Sequence, residues 1–289
     1  MAAVRTIVIV GATSGLGRVV AKRLAAQGDD QRVIAAGRDA TRAAGLRAEL
    51  GERHTVLTCD VSTIDGCARL VDDVAAHTDQ IDVLINNAGL MTPDRRVSRD
   101  AHELNFAVHH LAPFAVTSRA MSLLRKGSMP GDPEGRDRPR VVNTNSAGHQ
   151  HSLGGHVNPT LDFTDLDSAR DYDPFLAYSR SKLANLLFTY ELVRRHGDEL
   201  LVSALHPGVV RTDLGRHFPR WRVAAAQLAA TSPGRAAPAI TALAVEPLTT
   251  NGGYYDRSSL VRSSPPSYDT DAARRLWEVT EAICGPFAP

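Results

Sequence analysis

The sequence predicts an α/β protein built on a doubly wound parallel sheet, with helices on both faces of the sheet. Short segments that are almost continuously hydrophobic recur along the chain, which is typical of strands covered on both faces. Amphipathic helical patterns lie between these segments, as in repeated βα units. The chain has 289 residues, of which 43% are hydrophobic and 22% charged. This size and composition suit a single domain, residues 1–289, with a sizeable core.

The predicted elements alternate regularly through the first two thirds of the chain. The strands are Thr6–Val10, Arg32–Ala36, Thr55–Cys59, Ile81–Ile85, Arg140–Thr144 and Leu200–Leu205. The helices between them are Gly15–Gln27, Thr41–Leu50, Ser62–His77, Ala101–Leu124 and Ala177–His196. Ser62 is a predicted N-cap and Gly28 a predicted C-cap.

The remaining segments contain turn residues or a weaker pattern. Arg125–Pro139 is rich in Gly, Pro and charge and predicts an exposed loop, since the βα alternation resumes after it. Later elements are helices at Trp221–Ala230 and Pro233–Val245, an edge strand at Gly252–Asp256 and a closing helix at Asp271–Ile283.

Composition excludes several classes of function. The formal net charge is +1, which argues against a nucleic-acid binder and against a polybasic membrane-surface protein. The three cysteines, Cys59, Cys67 and Cys284, have no spacing of a disulfide framework or a zinc site. The sequence has no signal-peptide pattern and no apolar run long enough for a transmembrane helix. We therefore expect a cytoplasmic protein without a membrane anchor.

A glycine-rich turn follows the first predicted strand. Gly11–Gly17 reads GATSGLG and opens a helix. Glycines let the backbone approach a pyrophosphate closely, and a helix N-terminus offers free N–H groups to phosphates. The alternative is an ordinary tight strand-to-helix turn. The dinucleotide interpretation assigns cofactor contacts to Gly11, Thr13, Ser14, Gly15, Leu16 and Gly17.

The end of the second strand bears on the choice of dinucleotide. A carboxylate there binds the ribose 2′-OH of NAD, whereas an arginine suits the 2′-phosphate of NADP. Arg38 comes first after the strand and favours NADP(H). Asp39 keeps NAD(H) open as the second choice.

A tyrosine and a lysine lie four residues apart on a predicted helix. Tyr178 and Lys182, within AYSRSKL, share one helix face. A phenol needs help to exchange protons near neutral pH, and a neighbouring ammonium lowers its pKa. The pair therefore predicts acid/base chemistry, the alternative being a surface pair.

These motifs together resemble the short-chain dehydrogenase/reductase superfamily and, within it, the retinol-dehydrogenase-like group. The resemblance covers essentially the whole chain. It rests on GATSGLG (Gly11–Gly17), CDVS (Cys59–Ser62), NNAG (Asn86–Gly89), VNTNS (Val142–Ser146), YSRSK (Tyr178–Lys182) and HPGVVRT (His206–Thr212).

The resemblance implies a Rossmann-type fold and a role for each matching residue. Ser146 would polarise the substrate carbonyl, Tyr178 would act as general acid/base, and Lys182 would bind the nicotinamide ribose and lower the tyrosine pKa. The insertion Leu161–Tyr178 supports Ser146 rather than Ser152 as the catalytic serine. A substrate lid is expected at about 209–235. Further cofactor contacts would come from Asp60, Val61, Asn87, Ala88, Gly89, Pro207, Gly208, Val210 and Thr212.

His109 departs from the family pattern, which has an asparagine at that position. In the family, this asparagine helps to hold a water that relays protons to the lysine. Histidine also donates, accepts and titrates near neutrality. Three interpretations stay open: His109 serves the relay, it slows an intact enzyme, or it marks a protein that binds cofactor without turnover.

Three more histidines follow Ser146, but they do not predict a metal site. His149, His151 and His156 have no accompanying carboxylate or cysteine in a metal-site spacing. We expect them to line the approach to the substrate site or to face solvent.

The sequence therefore predicts an NADP(H)-dependent oxidoreductase that interconverts a ketone or aldehyde with an alcohol. The expected partner is a small, hydrophobic substrate, and the protein would be a monomer or a homodimer. Two alternatives stay open: an epimerase or dehydratase of the same fold with a retained nucleotide, and a non-catalytic NADP(H) sensor.

Overall fold

The computed structural model describes residues 4–150, 158–211, 213–215, 218 and 230–288. Within them, eight strands form one sheet in the order β3-β2-β1-β4-β5-β6-β7-β8. All neighbouring strands are parallel except β7 and β8. The strands are β1 (Arg5–Val10), β2 (Gln31–Gly37), β3 (Thr55–Thr58), β4 (Val83–Asn86), β5 (Arg140–Thr144), β6 (Leu201–His206), β7 (Gly253–Asp256) and β8 (Ser259–Val261).

Helices cover both faces of this sheet, so the predicted fold class is confirmed. Their bounds are α1 (Gly15–Ala25), α2 (Ala40–Leu50), α3 (Ile64–Ala75), α4 (Leu104–Phe106), α5 (Ala112–Leu124), α6 (Pro174–His196), α7 (Pro233–Val245) and α8 (Thr270–Cys284). A π-helical segment, Ala107–Leu111, joins α4 to α5. Six of the strands are mostly buried, as their continuous hydrophobicity predicts, whereas β3 is only partly buried and β8 is exposed.

Two apolar clusters fill the spaces between the sheet and its helices. On one face, Val20 of α1, Leu46 of α2 and Ile240 of α7 pack on the sheet. On the other face, the cluster includes Leu70 of α3 and Phe114 of α5. Since each strand turns alternate side chains to opposite faces, β1 contributes Ile7 and Ile9 to one cluster and Val8 and Val10 to the other.

Several predicted boundaries are wrong for local reasons. Helix α3 is capped by Thr63, whose side chain accepts the Gly66 N–H, rather than by Ser62. Helix α1 ends at Ala25 with Ala26 as its C-cap, and Gly28 lies beyond it in the connecting turn. The strand predicted at the edge is β7, but β8 pairs outside it and forms the edge of the sheet.

The predicted loop Arg125–Pro139 is largely exposed, but it is anchored at three points that composition does not reveal. Met129, Asp132 and Arg138 are buried. Arg138 Nη2 donates to Asp132 Oδ1 at 2.8 Å, and the ion pair holds the pKa of Asp132 at about 2. The loop is therefore fixed against the body of the domain.

Candidate active site

A cleft of about 960 Å³ opens at the carboxyl ends of the strands. It lies at the end of β1, which has β2 on one side and β4 on the other. The strand order reverses direction here, so this is a switch point of the sheet. Val10 pairs with Ala36 and with Asn86, so the residues that follow these three strands meet at one edge. The cleft walls come from the segments after β1, β2, β3, β4, β5 and β6.

The glycine-rich turn forms one wall of the cleft. Gly11 has φ +83°, and a Cβ there would lie 2.5 Å from Ala88 Cα, so only glycine fits. Gly17 does not line the cleft; a Cβ there would lie 2.1 Å from Gly11 O, so this glycine lets α1 pack on the turn. Thr13, Ser14, Gly15 and Leu16 line the cleft with Gly11.

The N-terminus of α1 differs from that of most long helices in this fold. Ser14 is its N-cap residue, but the Ser14 side chain makes no capping hydrogen bond. Helices α2, α3, α6 and α8 each have a side-chain cap. The first N–H groups of α1 therefore face the cleft without a side-chain acceptor and are suited to bind an anion.

Basic side chains lie at the end of β2. Arg38 is exposed and lines the cleft, as does Arg42 from the first turn of α2. Asp39 also lines the cleft, but its carboxylate caps α2 by accepting the Arg42 N–H at 2.9 Å. Asp60 and Val61, after β3, lie in the same wall.

The segment after β4 is bound tightly to the glycine-rich turn. Asn87 Nδ2 donates to Gly11 O at 3.0 Å, and Asn87 Oδ1 accepts the Thr144 hydroxyl at 3.3 Å. Asn87, Ala88 and Gly89 all line the cleft. The side chain of Asn87 therefore ties the ends of β1, β4 and β5 together.

Ser146, Tyr178 and Lys182 meet in the same cleft. Ser146 lies two residues beyond β5, and its Oγ accepts the Gly148 N–H at 3.1 Å. Tyr178 and Lys182 lie one turn apart on α6, whose start is fixed by the Asp173 cap. Lys182 Nζ donates to Thr144 O at 3.0 Å and lies 5.8 Å from the centroid of the Tyr178 ring.

The ionisation of this pair differs from the sequence expectation. Burial raises the pKa of Tyr178, although a hydrogen bond with Ser146 opposes the rise. Burial also lowers the pKa of Lys182 to about 7. Near neutral pH the lysine is therefore only partly charged, which weakens its ability to lower the tyrosine pKa. Burial outweighs the hydrogen bond, so the pKa of Tyr178 lies above its ordinary value.

His109 lies behind the cleft rather than in its wall. It is 1% exposed and belongs to the π-helical segment. Four residues later Pro113 has no N–H, so it cannot give the His109 carbonyl its usual α-helical partner. Asn185 Nδ2 donates to that carbonyl instead, at 2.9 Å. The proline was a sequence signal for the irregular helix that the periodicity did not reveal.

Sequence reasoning missed the residue that joins this region to β5. Asn145 Nδ2 donates to Lys182 O at 3.0 Å and to Asn185 Oδ1 at 2.8 Å. Asn145 Oδ1 accepts the Ser146 N–H at 2.7 Å. Asn145 thus fixes both the serine and the lysine; it belongs to the VNTNS motif, but no role was predicted for it from sequence.

The expected position of His149 is wrong. It neither lines the cleft nor faces solvent, but is fully buried. Its Nε2 accepts the Ser264 N–H at 3.3 Å, so in the neutral ring Nδ1 donates to Ser146 O, at 2.6 Å. His149 therefore ties the Ser146 segment to the segment before α8. His151 and His156 lie outside the described residues.

The segment after β6 forms the far end of the cleft. Pro207, Gly208 and Val210 line it, while Thr212 lies outside the described residues. The Thr231 N–H donates to Val209 O at 2.8 Å, and the Arg211 N–H donates to Thr231 O at 2.9 Å. These bonds join the two ends of the expected lid. The predicted helix Trp221–Ala230 falls outside the described residues except for Ala230, which lines the cleft.

Apolar side chains, most of them outside the quoted motifs, line a large part of the cleft. The Phe175 and Phe218 rings lie 6.0 Å apart. The sequence carried no local signal for them, because they come from segments far apart in the chain. The apolar lining residues are Leu90, Met91, Val108, Phe175, Val209, Leu214, Phe218 and Ala230.

The fold and the cleft agree with the family to which the sequence is similar. The family model described as short chain dehydrogenase matches residues 5–156, more than half of the chain. The chain belongs to the short chain dehydrogenase family, whose members are oxidoreductases.

Among curated relatives, human retinol dehydrogenase 13 is 34% identical over 99% of this chain and 86% of its own length. Human retinol dehydrogenase 12 is 32% identical over 97% of this chain and 86% of its own length. These similarities confirm the retinol-dehydrogenase-like resemblance.

Solved structures agree with this assignment. An uncharacterized protein from Mycobacterium paratuberculosis superposes with a TM-score of 0.77 at 30% identity, covering 99% of this chain and 96% of that protein. NADPH-bound carbonyl reductase from chicken fatty liver superposes with a TM-score of 0.68 at 20% identity, covering 90% and 99% of the two chains. The second similarity shows the fold alone.

Two further properties concern metals and membranes. Within the described ranges, no group of three His, Cys, Asp or Glu side chains is placed to hold a metal ion. In that same part of the chain, no helix combines the length and apolar character needed to cross a membrane.

Proposed function

We propose that this protein is an NADP(H)-dependent oxidoreductase that interconverts a hydrophobic ketone or aldehyde with the corresponding alcohol. One observation carries the proposal: a single cleft contains the glycine-rich turn, the Arg38 side chain and the group formed by Ser146, Tyr178 and Lys182. A dinucleotide with its phosphates at this turn would have one end near Arg38 and the other end near Tyr178.

The described residues fit a phosphorylated dinucleotide. The uncapped N-terminus of α1 and the close-packed Gly11 provide an anion site that a larger residue would fill. Arg38 and Arg42 supply positive charge at the end of β2. One oxygen of the Asp39 carboxylate accepts the Arg42 N–H, which leaves less of its acceptor capacity for a ribose 2′-OH. These features favour NADP(H) over NAD(H).

Three side chains would serve the reaction on a carbonyl substrate. The bound nicotinamide supplies hydride chemistry. Ser146 Oγ accepts the Gly148 N–H, and its hydroxyl, which is hydrogen-bonded to Tyr178, would turn to donate to a substrate oxygen. Tyr178 would deliver the proton to that oxygen and recover it in the reverse reaction.

Lys182 would support Tyr178 electrostatically. In the protein without cofactor, burial holds the pKa of Lys182 at about 7. Hydroxyl oxygens of a bound nicotinamide ribose would accept hydrogen bonds from this amine, which favours the charged form and raises its pKa. The charged lysine would then lower the pKa of Tyr178 and bring its proton exchange into the neutral range.

The apolar end of the cleft would take the body of the substrate. Phe175, Met91 and Leu214 present hydrocarbon surface beside the catalytic group. We propose 209–235 as a lid over this end, because Val209 and Ala230, which belong to this range, both line the cleft. A hydrophobic substrate gains most from such a lining.

The test combines cofactor binding with turnover. The purified protein would be titrated with NADPH and then supplied with hydrophobic aldehydes and ketones and with a short polar carbonyl. We expect one alcohol formed per NADPH oxidised, with the hydrophobic carbonyls preferred. Tyr178→Phe should lower kcat by at least about a hundredfold while the NADPH dissociation constant changes less than about threefold.

Three outcomes would contradict the proposal. A folded protein that does not bind NADPH would exclude the cofactor assignment. Binding without reduction of any carbonyl would favour the sensor alternative. Product formation without net NADPH consumption would favour an epimerase or dehydratase.

A further inference from the structure

We propose that His109 is a neutral positioning residue that clamps the loop after β4 to the catalytic helix α6, and that protons do not pass through its side chain. The inference rests on the hydrogen bonds of its ring and concerns the site of the proposed function. Nothing in the local sequence shows it, since histidine suits a proton relay equally well.

The hydrogen bond to Nε2 determines which nitrogen of the His109 ring carries the proton. The Leu90 backbone N–H donates to His109 Nε2 at 3.2 Å. A backbone N–H is only a donor, so Nε2 carries no proton. In a neutral imidazole the other nitrogen then holds the hydrogen, and His109 is fixed as the Nδ1–H tautomer.

The partner of His109 Nδ1 is the Ser181 hydroxyl. His109 Nδ1 lies 2.8 Å from Ser181 Oγ, and the Ser181 hydroxyl donates its one hydrogen to Tyr178 O at 2.6 Å. Ser181 Oγ must therefore accept from His109 Nδ1–H. The donors and acceptors agree along the whole chain, from the Leu90 N–H through His109 and Ser181 to the Tyr178 carbonyl.

Neither nitrogen of the His109 ring is free to pass a proton. Both ring nitrogens are engaged, and the ring does not line the cleft. A second proton on Nε2 would face the Leu90 N–H, donor against donor. The ionisable neighbours are Tyr178, whose ring lies 5.3 Å away edge-on, and Lys182, whose charge disfavours an imidazolium. Burial and Lys182 together hold the pKa of His109 far below its usual range.

The two nitrogens of the His109 ring therefore hold different parts of the site. Nε2 holds Leu90, which lines the cleft next to Gly89 on the cofactor side. Nδ1 holds Ser181 and, through it, the backbone of Tyr178. Loss of the first contact should weaken cofactor binding, and loss of the second should slow the chemical step.

Two variants separate these contacts. An asparagine amide occupies the position of Nδ1, so His109→Asn retains a donor for Ser181 and loses the Leu90 contact. A glutamine amide oxygen reaches the position of Nε2, so His109→Gln retains the acceptor for Leu90 and loses the Ser181 contact. We expect His109→Asn to raise the NADPH dissociation constant about fivefold with kcat within twofold, and His109→Gln to lower kcat about tenfold with the dissociation constant retained.

The pH dependence and NMR decide between clamp and relay. In the clamp, wild type and both variants share the same apparent pKa values in their kcat profiles. A relay predicts that His109→Gln shifts one limb of the profile, whereas His109→Asn, which restores the residue of the family pattern, does not. A shifted limb in His109→Gln would therefore overturn the proposal.

The ring state is measured on the protein alone, independent of any activity. In ¹⁵N-histidine spectra, the signals missing from His109→Asn identify His109. They should show a protonated Nδ1 and a bare Nε2 with no titration between about pH 5.5 and pH 8.5, the range in which an ordinary histidine titrates. An imidazolium within that range would refute the clamp even if the protein reduced no carbonyl.

Discussion

Arg38 and Asp39 are neighbours of opposite charge after the same strand, and helix capping separates their roles. The Asp39 side chain accepts the N–H of Arg42 and starts α2, whereas Arg38 is exposed in the cleft. From sequence, either residue could decide between NAD(H) and NADP(H). The hydrogen bond of Asp39 is the observation that favours the arginine.

We therefore expect Arg38→Asp to raise the NADPH dissociation constant at least about tenfold, because the variant loses the cation at the 2′-phosphate and adds a like charge. NADH binding should change less than about threefold. The measurement is a titration that follows the fluorescence of the reduced nicotinamide. Arg69→Asp makes the same charge change on the exposed face of α3 and should leave both constants unaltered. Equal loss of NADPH and NADH would contradict the assignment.

At the scale of residues, the sequence predicted positions in the cleft better for residues in ordered motifs than for single residues. Gly11, Asn87 and Tyr178 belong to ordered motifs, and sequence order alone was enough to bring them together. His149 lies outside the quoted motifs, and Asn145 lies inside one, but both act through hydrogen bonds that join distant parts of the chain. Their partners Ser264 and Lys182 cannot be read from sequence, because only the tertiary fold makes them neighbours.

At the scale of elements, the segment between α5 and β5 shows how a polar loop is anchored. Arg140, at the start of β5, is 0% exposed, and its guanidinium donates to the carbonyls of Pro130, Leu243 and Glu246. Burial lowers the pKa of Arg140 to about 10, so the side chain stays charged near neutral pH. One side chain thus joins the loop, the strand and the end of α7.

Arg140→Met should lower the free energy of unfolding by about 2–4 kcal/mol, because it leaves three carbonyls without their donor. Arg136→Met, in the exposed part of the same loop, should leave stability unchanged within error. Urea unfolding of both variants measures the difference, and the NADPH dissociation constant should stay the same in each. Unaltered stability of Arg140→Met would show that the carbonyls find other donors.

The order of strands and helices followed from hydrophobic periodicity because each βα unit repeats the same pattern. The periodicity failed where another interaction overrides it. Pro113 forces the irregular Ala107–Leu111 segment within a continuous helical pattern. The short strand β8 is fully exposed and carries no alternation that would predict it.

For the whole molecule, the buried Lys182 amine reduces stability at neutral pH. Burial lowers the pKa of Lys182 from its ordinary range to about 7, whereas the unfolded chain retains the ordinary value. Below about pH 7 both states are protonated and the full penalty of burying the charge is present. Between about pH 7 and pH 10 only the unfolded state stays protonated, so this penalty falls as pH rises.

Lys182→Met removes the titrating group and therefore removes this pH dependence. The free energy of unfolding of the variant relative to wild type should be greatest at about pH 7 and should decrease by about 1.4 kcal/mol for each pH unit toward pH 9. The lost hydrogen bond to Thr144 O adds the same amount at every pH, so it leaves this slope unchanged. Urea unfolding at three pH values in that range gives the slope. The chain has three lysines, and Lys126→Met, at an exposed position, is the matched control with no slope.

A difference between Lys182→Met and wild type that does not change with pH would mean that Lys182 keeps an ordinary pKa in the folded protein. The ammonium would then be present before cofactor binds, and Tyr178 would not depend on the nucleotide for its electrostatic support.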